Sequence, residues 1–195
     1  KGFAWYEDGK REKKTNSFDD FAASGRALIE ARYTSTKRIV GHGGSAGGML
    51  MGAVANRSGE LFAGIVAEVP FVDVLNTMLD DTLPLTPPEW PEWGNPIESE
   101  KDFRTILSYS PYDNLAAKDY PAILAMGGLT DPRVTYWEPA TWIARLRATM
   151  SGGGPVLLRT NMGAGHGGAS GRFNRLDEVA IAYAFGEGTG RLACL

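Results

Sequence analysis

The segment Gly43–Gly47 restricts how this chain can fold more than any other, because it places Ser45 between glycines at the spacing G-x-S-x-G. The residues before it favour a short strand, and the apolar residues after it recur at the spacing of an amphipathic helix. A serine at such a strand-to-helix turn is held in a strained backbone conformation, with its Oγ exposed above the sheet. The turn also aims the backbone amide of Ala46 at a developing oxyanion. The motif therefore predicts a nucleophilic Ser45 with Ala46 as an oxyanion donor.

A nucleophilic serine needs a general base, and the chain has two histidines, His42 and His166. His42 lies three residues before Ser45 and is tied to the same strand end, so we interpret it as structural. His166 lies in a glycine-rich loop that follows the last predicted strand. In α/β-hydrolases the chain order is serine, acid, histidine, and this order selects His166 as the base.

The acid that orients the base should follow a strand and precede His166. Asp131 does so, directly after the third predicted strand. Asp113 and Asp119 are the alternatives, but both precede that strand instead of following its carboxyl end. Because ligand sites in open α/β sheets lie beyond the carboxyl ends of the strands, we predict that Ser45, Asp131 and His166 meet there.

Strands alternate with helices along the chain, a pattern that predicts a parallel sheet covered by helices on both faces. Ser17, with Asp20 three residues later, fits a capping box that opens a helix. Residues 83–96 contain five prolines and predict a rigid, irregular insertion, and the basic first 16 residues predict a solvated lead-in. The predicted elements are a helix over 17–33, a strand over 37–41, a helix from Ala46, strands over 65–69 and 122–126, a helix with Pro139 in its first turn, a strand over 156–159, and a last helix through Phe173, Leu176, Ala180 and Tyr183.

Composition and charge argue against several classes of protein. The 20 Lys and Arg against 23 Asp and Glu give a net charge of −3, so no nucleic-acid partner is expected. The sequence has no uninterrupted apolar run of about 18 residues, so no membrane partner is expected either. The single cysteine, Cys194, can form neither an internal disulfide nor a Cys-rich zinc site. Since no disulfide points to an oxidising compartment, we expect a cytoplasmic protein.

Several segments spread over nearly the whole chain match one known family. They are GGSAGGMLMG at 43–52, VPFVDV at 69–74, EWGNP at 92–96, YSPYDN at 109–114, YWEPA at 136–140 and GHGG at 165–168. Together they resemble the prolyl oligopeptidase family, and within it the oligopeptidase B branch. The resemblance implies Ser45 as nucleophile, Asp131 as acid and His166 as base, in agreement with the assignment from the motif and the chain order.

The resemblance also implies a fold and a domain organisation. The fold would be α/β, the C-terminal half of an α/β-hydrolase, with a mostly parallel sheet flanked by helices. Family members carry an N-terminal β-propeller, further strands of the sheet and an oxyanion-hole tyrosine, all upstream. Residues 1–195 would then be a partial peptidase catalytic domain, and the absence of an initiator Met at Lys1 fits a portion of a longer protein. The family requires no metal and no organic cofactor.

The same resemblance implies a serine peptidase that cleaves short peptides after Lys or Arg. A pocket for a basic side chain needs carboxylates, and the insertion offers Glu89 and Glu92 beside tryptophans. Glu89 is the better match to the acid of the family, and Pro91 stands where related sequences often have another acid. The alternatives are an esterase or an acylaminoacyl-peptidase-like hydrolase, since a serine triad does not by itself select amides over esters, and an inactive fragment of such an enzyme.

Overall fold

The computed structural model describes residues 2–192, so the predictions for Cys194 lie outside the described residues. In chain order the elements are α1 (Phe3–Glu7), α2 (Thr15–Glu30), β1 (Ile39–Gly44), α3 (Ala46–Ser58), β2 (Phe62–Glu68), α4 (Val74–Met78), α5 (Thr86–Trp93), α6 (Glu100–Tyr109), β3 (Asp119–Tyr120), β4 (Ala122–Gly128), α7 (Trp137–Thr149), β5 (Gly152–Gly153), β6 (Val156–Asn161) and α8 (Arg172–Leu192).

The main sheet is parallel and has the strand order β1-β2-β4-β6, while β3 and β5 form a separate parallel pair. Val40 packs against Gly186 of α8, whereas the next residue, Gly41, faces Met51 of α3. Because successive side chains of a strand point to opposite faces, α3 and α8 cover opposite faces of the sheet. The prediction of a parallel sheet flanked by helices is confirmed. None of the helices among residues 2–192 has the length and apolar character needed to cross a membrane.

The four strands of the main sheet lie close to their predicted bounds. Ile65 of β2 and Ile123 of β4 are fully buried, as central strands of a sheet covered on both faces require. The predicted first strand stops at Gly41, whereas β1 continues to Gly44. The strand continues because its backbone pairs with β2 up to Glu68, and backbone pairing does not depend on side chains.

The start of α2 differs from the prediction. The helix begins at Thr15, and the residue at its N-terminal boundary is Lys14, which makes no side-chain capping bond. Ser17 lies inside the first turn, and its Oγ donates to the carbonyl of Gly9 (3.3 Å). The capping box of Ser17 and Asp20 is therefore wrong. The preceding residues fold into α1 and a 3₁₀ turn, so the chain enters the helix earlier than the local pattern indicates.

The predicted irregular insertion contains a helix, α5, over most of its length. Pro87 and Pro88 lie in the first turn, where the backbone N–H groups have no partner within the helix. Pro91 lies inside the helix and removes one further N–H donor. The proline content thus led to a wrong prediction, because the cost of a proline depends on its position in the helix.

The last helix, α8, is confirmed, but the residues that predicted it do not form its buried face. Phe173 is 77% exposed and Tyr183 is 72% exposed. The helix instead packs against β2 around Gly64. A Cβ added to Gly64 would lie only 2.8 Å from Thr189 Oγ1 and 3.3 Å from the Phe185 ring. The close approach depends on a glycine of the strand, and the hydrophobic periodicity of the helix does not identify such a face.

We predict that Gly48→Ala destabilises the protein, whereas Gly47→Ala does not. A Cβ at Gly48 would lie 2.6 Å from Pro70 Cα, where α3 crosses the end of β2, and backbone at that position cannot move aside. A Cβ at Gly47 would have nothing within 4 Å. The free energy of unfolding should fall by about 1–3 kcal/mol for Gly48→Ala and change by less than about 1 kcal/mol for Gly47→Ala. Urea unfolding of the intact protein measures both values, and equal losses would contradict the packing described here.

Candidate active site

Ser45 is the single residue between β1 and α3, and its φ is 55°. Residues other than glycine rarely adopt a positive φ, and holding one there costs about 1–3 kcal/mol. Ser45 N donates to the carbonyl of Glu68 (2.9 Å). The Ser45 carbonyl accepts from Met49 N (3.1 Å) and Phe71 N (3.2 Å). The predicted strand–turn–helix context is thus present, and Ala46 is the first residue of α3, with its amide at the helix N-terminus.

The first glycine of the motif, Gly43, is a packing requirement of this turn. A Cβ at Gly43 would lie 2.3 Å from the carbonyl oxygen of Gly47, well inside the contact distance of two heavy atoms. No larger residue fits at Gly43 while α3 starts where it does. The glycine two residues before Ser45 therefore reflects the close approach of β1 to the first turn of α3.

Asp131 and His166 are joined by a hydrogen bond, with 2.8 Å between His166 Nδ1 and Asp131 Oδ2. Because an ionised carboxylate only accepts, Nδ1 carries the proton and Nε2 is left free to accept one. The Asp131 side chain is buried, and its Oδ1 accepts from Arg133 N (2.8 Å) and Val134 N (3.1 Å). These backbone donors fix the carboxylate, and the carboxylate in turn fixes the orientation of the imidazole.

Contacts between two loops bring Asp131 and His166 together. Thr130 N donates to the carbonyl of Ala164 (3.2 Å), and a Cβ at Gly128 would lie 2.5 Å from the same oxygen. The loop after β4 and the loop after β6 therefore touch through their backbones. Helix α8 supports the second loop, since Glu178 Oε2 accepts from Ala169 N (3.0 Å).

Ser45 and His166 line one cavity of about 310 Å³. The last residues of the four main strands also line it: Gly44, Glu68, Gly128 and Asn161. The cavity thus lies at the carboxyl ends of the strands, where ligand sites of open α/β sheets are expected. Among residues 2–192, the structure records no hydrogen bond between Ser45 Oγ and His166. Such bonds are often long without a substrate and shorten when one binds.

The alternatives to His166 and Asp131 lie elsewhere. His42 Nε2 is 2.9 Å from Glu68 Oε1, in a pair whose side chains are about half exposed. Neither Asp113 nor Asp119 lines the cavity, and Asp119 belongs to β3 at the opposite end of the sheet. Of the candidate residues, the structure brings Ser45, Asp131 and His166 together.

A second, smaller cavity of about 50 Å³ adjoins Ser45 and Ala46 on another side. Glu89 and Trp93 of α5 line it, together with Phe71 from the segment after β2. Glu89 Oε2 accepts a hydrogen bond from Trp93 Nε1 at 2.6 Å. A carboxylate held by an indole therefore lies in a narrow, partly aromatic cavity beside Ser45, as the interpretation of Glu89 requires.

Glu92 does not line either cavity next to Ser45. Its carboxylate accepts from Tyr6 OH (2.7 Å) and forms an ion pair with Lys14 Nζ (3.1 Å). The Lys14 ammonium also lies 4.4 Å from the centre of the Trp93 ring. The predicted lead-in thus packs against α5 through Glu92 and Trp93. The prediction of a solvated lead-in is therefore wrong for Lys14, because its partner is 78 residues away and no local pattern signals the pair.

Among residues 2–192, no group of three or more His, Cys, Asp or Glu side chains is placed to hold a metal ion. The expectation that the chemistry requires neither metal nor organic cofactor stays a prediction. What the site offers is a strained serine, an imidazole held by an anchored carboxylate, and a backbone amide at a helix N-terminus.

A parallel sheet between helices, with a serine at the strand-to-helix turn and an Asp–His pair at the carboxyl ends of later strands, is an α/β-hydrolase fold. Comparison with known proteins agrees with this fold and also identifies the family. The family model described as "Prolyl oligopeptidase family" matches residues 1–189. The chain belongs to the prolyl oligopeptidase family, and the resemblance seen in the sequence is confirmed.

Individual relatives support this assignment. The chain is 56% identical over 184 residues to "Protease 2" of Moraxella lacunata, covering 94% of this chain and 26% of that protein. It is 53% identical to "Dipeptidyl aminopeptidase BI" of Pseudoxanthomonas mexicana, covering 94% of this chain and 25% of the relative. The solved oligopeptidase B of Leishmania major superposes with a TM-score of 0.92 at 45% identity, covering 96% of this chain and 26% of the other. The chain thus spans about a quarter of the length of these relatives.

A further solved structure is similar to the same extent. It is oligopeptidase B from Trypanosoma brucei with covalently bound antipain, with a TM-score of 0.92 and 46% identity over 96% of this chain and 26% of that one.

Proposed function

We propose that the intact protein is a serine peptidase that cleaves short peptides after Lys or Arg, with Ser45 as nucleophile, His166 as general base and Asp131 as the residue that orients His166. The observation that carries the proposal is the 2.8 Å hydrogen bond between His166 and Asp131 at the cavity that also contains Ser45. Related proteins are named "Protease 2" and oligopeptidase B, and the one from Trypanosoma brucei binds antipain covalently. A covalent adduct in a relative is what a nucleophile in this fold would form.

Acylation follows from the positions of these groups. His166 Nε2 accepts the proton of Ser45 Oγ as Oγ attacks the scissile carbonyl carbon. The carbonyl oxygen becomes negative and accepts a hydrogen bond from the Ala46 amide. The C–N bond then breaks, and His166 returns the proton to the leaving amine. Asp131 stabilises the transient imidazolium and keeps the proton on Nδ1 throughout.

Deacylation uses the same groups in reverse. A water molecule enters from the larger cavity and loses a proton to His166 Nε2 as its oxygen attacks the acyl carbon. The second oxyanion is again stabilised by the Ala46 amide. Collapse breaks the bond to Ser45 Oγ, which takes the proton from His166, and the peptide acid is released. The cycle consumes one water and restores the enzyme.

We assign recognition of the basic side chain to Glu89. Its carboxylate lines the small cavity beside Ser45, and a guanidinium or ammonium could pair with it there. Phe71 and Trp93 supply aromatic surface for the aliphatic part of the side chain and for stacking. Glu92 has no such role in the proposal, since it pairs with Lys14 outside the cavity.

The first prediction concerns the nucleophile. A fluorophosphonate should label the intact protein at Ser45, and Ser45→Ala should abolish the label and lower kcat by more than about a thousandfold, because no other group replaces the attacking oxygen. Ser151→Ala, a change at an exposed serine, is the control and should alter neither. Mass spectrometry locates the label. Labelling that persists in Ser45→Ala would exclude Ser45 as the nucleophile.

The second prediction concerns specificity and compares two glutamates on one helix. Glu89→Gln keeps an acceptor for Trp93 Nε1 but removes the charge, so kcat/KM for an arginine peptide amide should fall by about 30-fold or more, the equivalent of roughly 2–5 kcal/mol. The value for a small neutral ester should change little. Glu92→Gln is the matched control and should leave the arginine substrate within about threefold.

Three outcomes of that comparison would contradict the assignment. Equal losses on the amide and the ester would make Glu89 a structural residue. If kcat/KM fell for neither substrate, residues other than Glu89 would recognise the basic side chain of the substrate. High activity of the wild-type protein on esters with none on peptide amides would favour the alternative, an esterase-like hydrolase.

A further inference from the structure

A buried carboxylate that the proposed mechanism does not use lies behind the small cavity. Glu138, in the first turn of α7, is 1% exposed. Its Oε2 accepts from Val72 N (2.9 Å) and Asp73 N (3.0 Å), and its Oε1 accepts from Thr77 Oγ1 (2.8 Å). A carboxylate removed from water is costly unless its oxygens are paired, and here both are. The side chain therefore joins α7 to the segment that follows β2.

One connection from Glu138 leads to the nucleophile turn. The residue before Val72 is Phe71, whose amide donates to the Ser45 carbonyl (3.2 Å). The Val72 carbonyl accepts from Tyr112 N (3.0 Å) on its other side. Glu138 thus holds the short segment 71–73, and this segment in turn holds the strained turn at Ser45.

A second connection leads to Glu89. The Thr77 hydroxyl donates to Glu138, and the Thr77 carbonyl accepts from Thr86 Oγ1 (2.9 Å) at the start of α5. Glu89 lies three residues further along that helix. The Phe71 ring also packs on Trp93, with 5.5 Å between ring centres, and Trp93 donates to Glu89. Both connections that start at Glu138 therefore end at the cavity beside Ser45.

We propose that Glu138 is a positioning residue, which sets the geometry of the small specificity cavity relative to Ser45 by holding Val72, Asp73 and Thr77. This inference rests on the proposed function, because it concerns the geometry that the proposed reaction requires. Glu138 itself touches neither cavity and takes no part in bond making or breaking. Its role is to act through the segment 71–73 and through the start of α5.

The electrostatic environment of Glu138 suggests a variant that keeps its contacts. Burial raises the pKa of Glu138 to about 7, and the neighbouring Asp73 carboxylate acts in the same direction, while the donors Asp73 N, Thr77 and Val72 N oppose the rise. A neutral carboxyl has one accepting oxygen and one O–H group, which could donate to the Thr77 hydroxyl. Glutamine offers the same pattern, with an oxygen for the two amides and an N–H for Thr77. Glu138→Gln should therefore preserve the network, whereas Glu138→Ala removes it.

The test uses the intact protein with Glu138→Gln, Glu138→Ala, Thr77→Val and a control, Tyr120→Phe. Tyr120 of β3 is buried just before the start of β4, at the end of the sheet away from the cavities, and its hydroxyl donates to Asn56 Oδ1 (3.0 Å). Its loss should therefore weaken the fold without reaching the site. Amide hydrogen exchange reports the segments 71–73 and 86–93. Kinetic constants are divided by the fraction of protein that a fluorophosphonate labels, which removes the effect of unfolded molecules.

For Glu138→Ala we expect amide exchange in 71–73 to become at least about tenfold faster. We expect kcat/KM per labelled site for an arginine peptide amide to fall at least about tenfold. Glu138→Gln and Tyr120→Phe should stay within about threefold of wild type per labelled site. Thr77→Val, which breaks one of the two connections, should lower the preference for the arginine amide over a neutral ester by about threefold or more, and it carries the test if Glu138→Ala does not fold.

Unchanged exchange in 71–73, or constants per labelled site that match wild type in Glu138→Ala, would overturn the inference. If Glu138→Ala does not fold, an unchanged amide-to-ester preference in Thr77→Val would do the same. Failure of the proposed function can be told apart from failure of this inference, because the fluorophosphonate would then not label Ser45 in the wild-type protein. In that case the positioning role fails with it, while the exchange data still show whether Glu138 holds the segment.

Discussion

The hydrogen bonds that hold Ser45 at the turn between β1 and α3 are the constraint on which the rest of the site depends. A serine at a φ of 55° does not remain there without support. The support comes from the end of β2 and from the residues just after it, through Glu68 and Phe71. The parallel order of the sheet makes this possible, because it places the carboxyl ends of β1 and β2 side by side. The fold thus fixes the backbone of Ser45 at this turn before any substrate binds.

In the proposed reaction, the two cavities beside Ser45 would serve two different tasks. The larger one holds His166 and the ends of the main strands, and is suited to proton transfer and to the entry of water. The smaller one holds Glu89 between aromatic side chains and is suited to a cationic group. Asp131 and Glu89 are both carboxylates, but the first is anchored by backbone amides and an imidazole, and the second by a single indole N–H. Glu89 therefore retains free acceptor capacity for a ligand.

Local sequence patterns predicted the four strands of the main sheet, though not the short pair β3 and β5, and the strand–turn–helix context of Ser45. Chain order predicted the meeting of Asp131 with His166. They failed where distant parts of the chain decide the outcome. Ser17 and Asp20 match a capping box but do not cap α2. Ser99 and Asp102 have the same spacing, and Ser99 Oγ does cap α6 by accepting from Asp102 N (3.2 Å). The two pairs differ in the conformation of the chain that precedes each helix.

The same limit explains the glutamates. Glu89 and Glu92 lie one helical turn apart in an insertion whose prolines conceal the helix. Only the tertiary structure shows that Lys14 and Tyr6 bind the Glu92 carboxylate, whereas Glu89 lines the small cavity next to Ser45. Glu138 belonged to a segment that the resemblance singled out, but its partners are more than sixty residues away, and its burial has no local signature.

The most direct test of the central claim is a crystal structure of the intact protein inactivated with a peptidyl phosphonate that carries a guanidinium at the position next to phosphorus. We predict a covalent bond from phosphorus to Ser45 Oγ, a phosphonyl oxygen hydrogen-bonded to the Ala46 amide, and the guanidinium paired with the Glu89 carboxylate. Phosphorus bonded to any other residue, or a guanidinium directed away from Glu89, would contradict it.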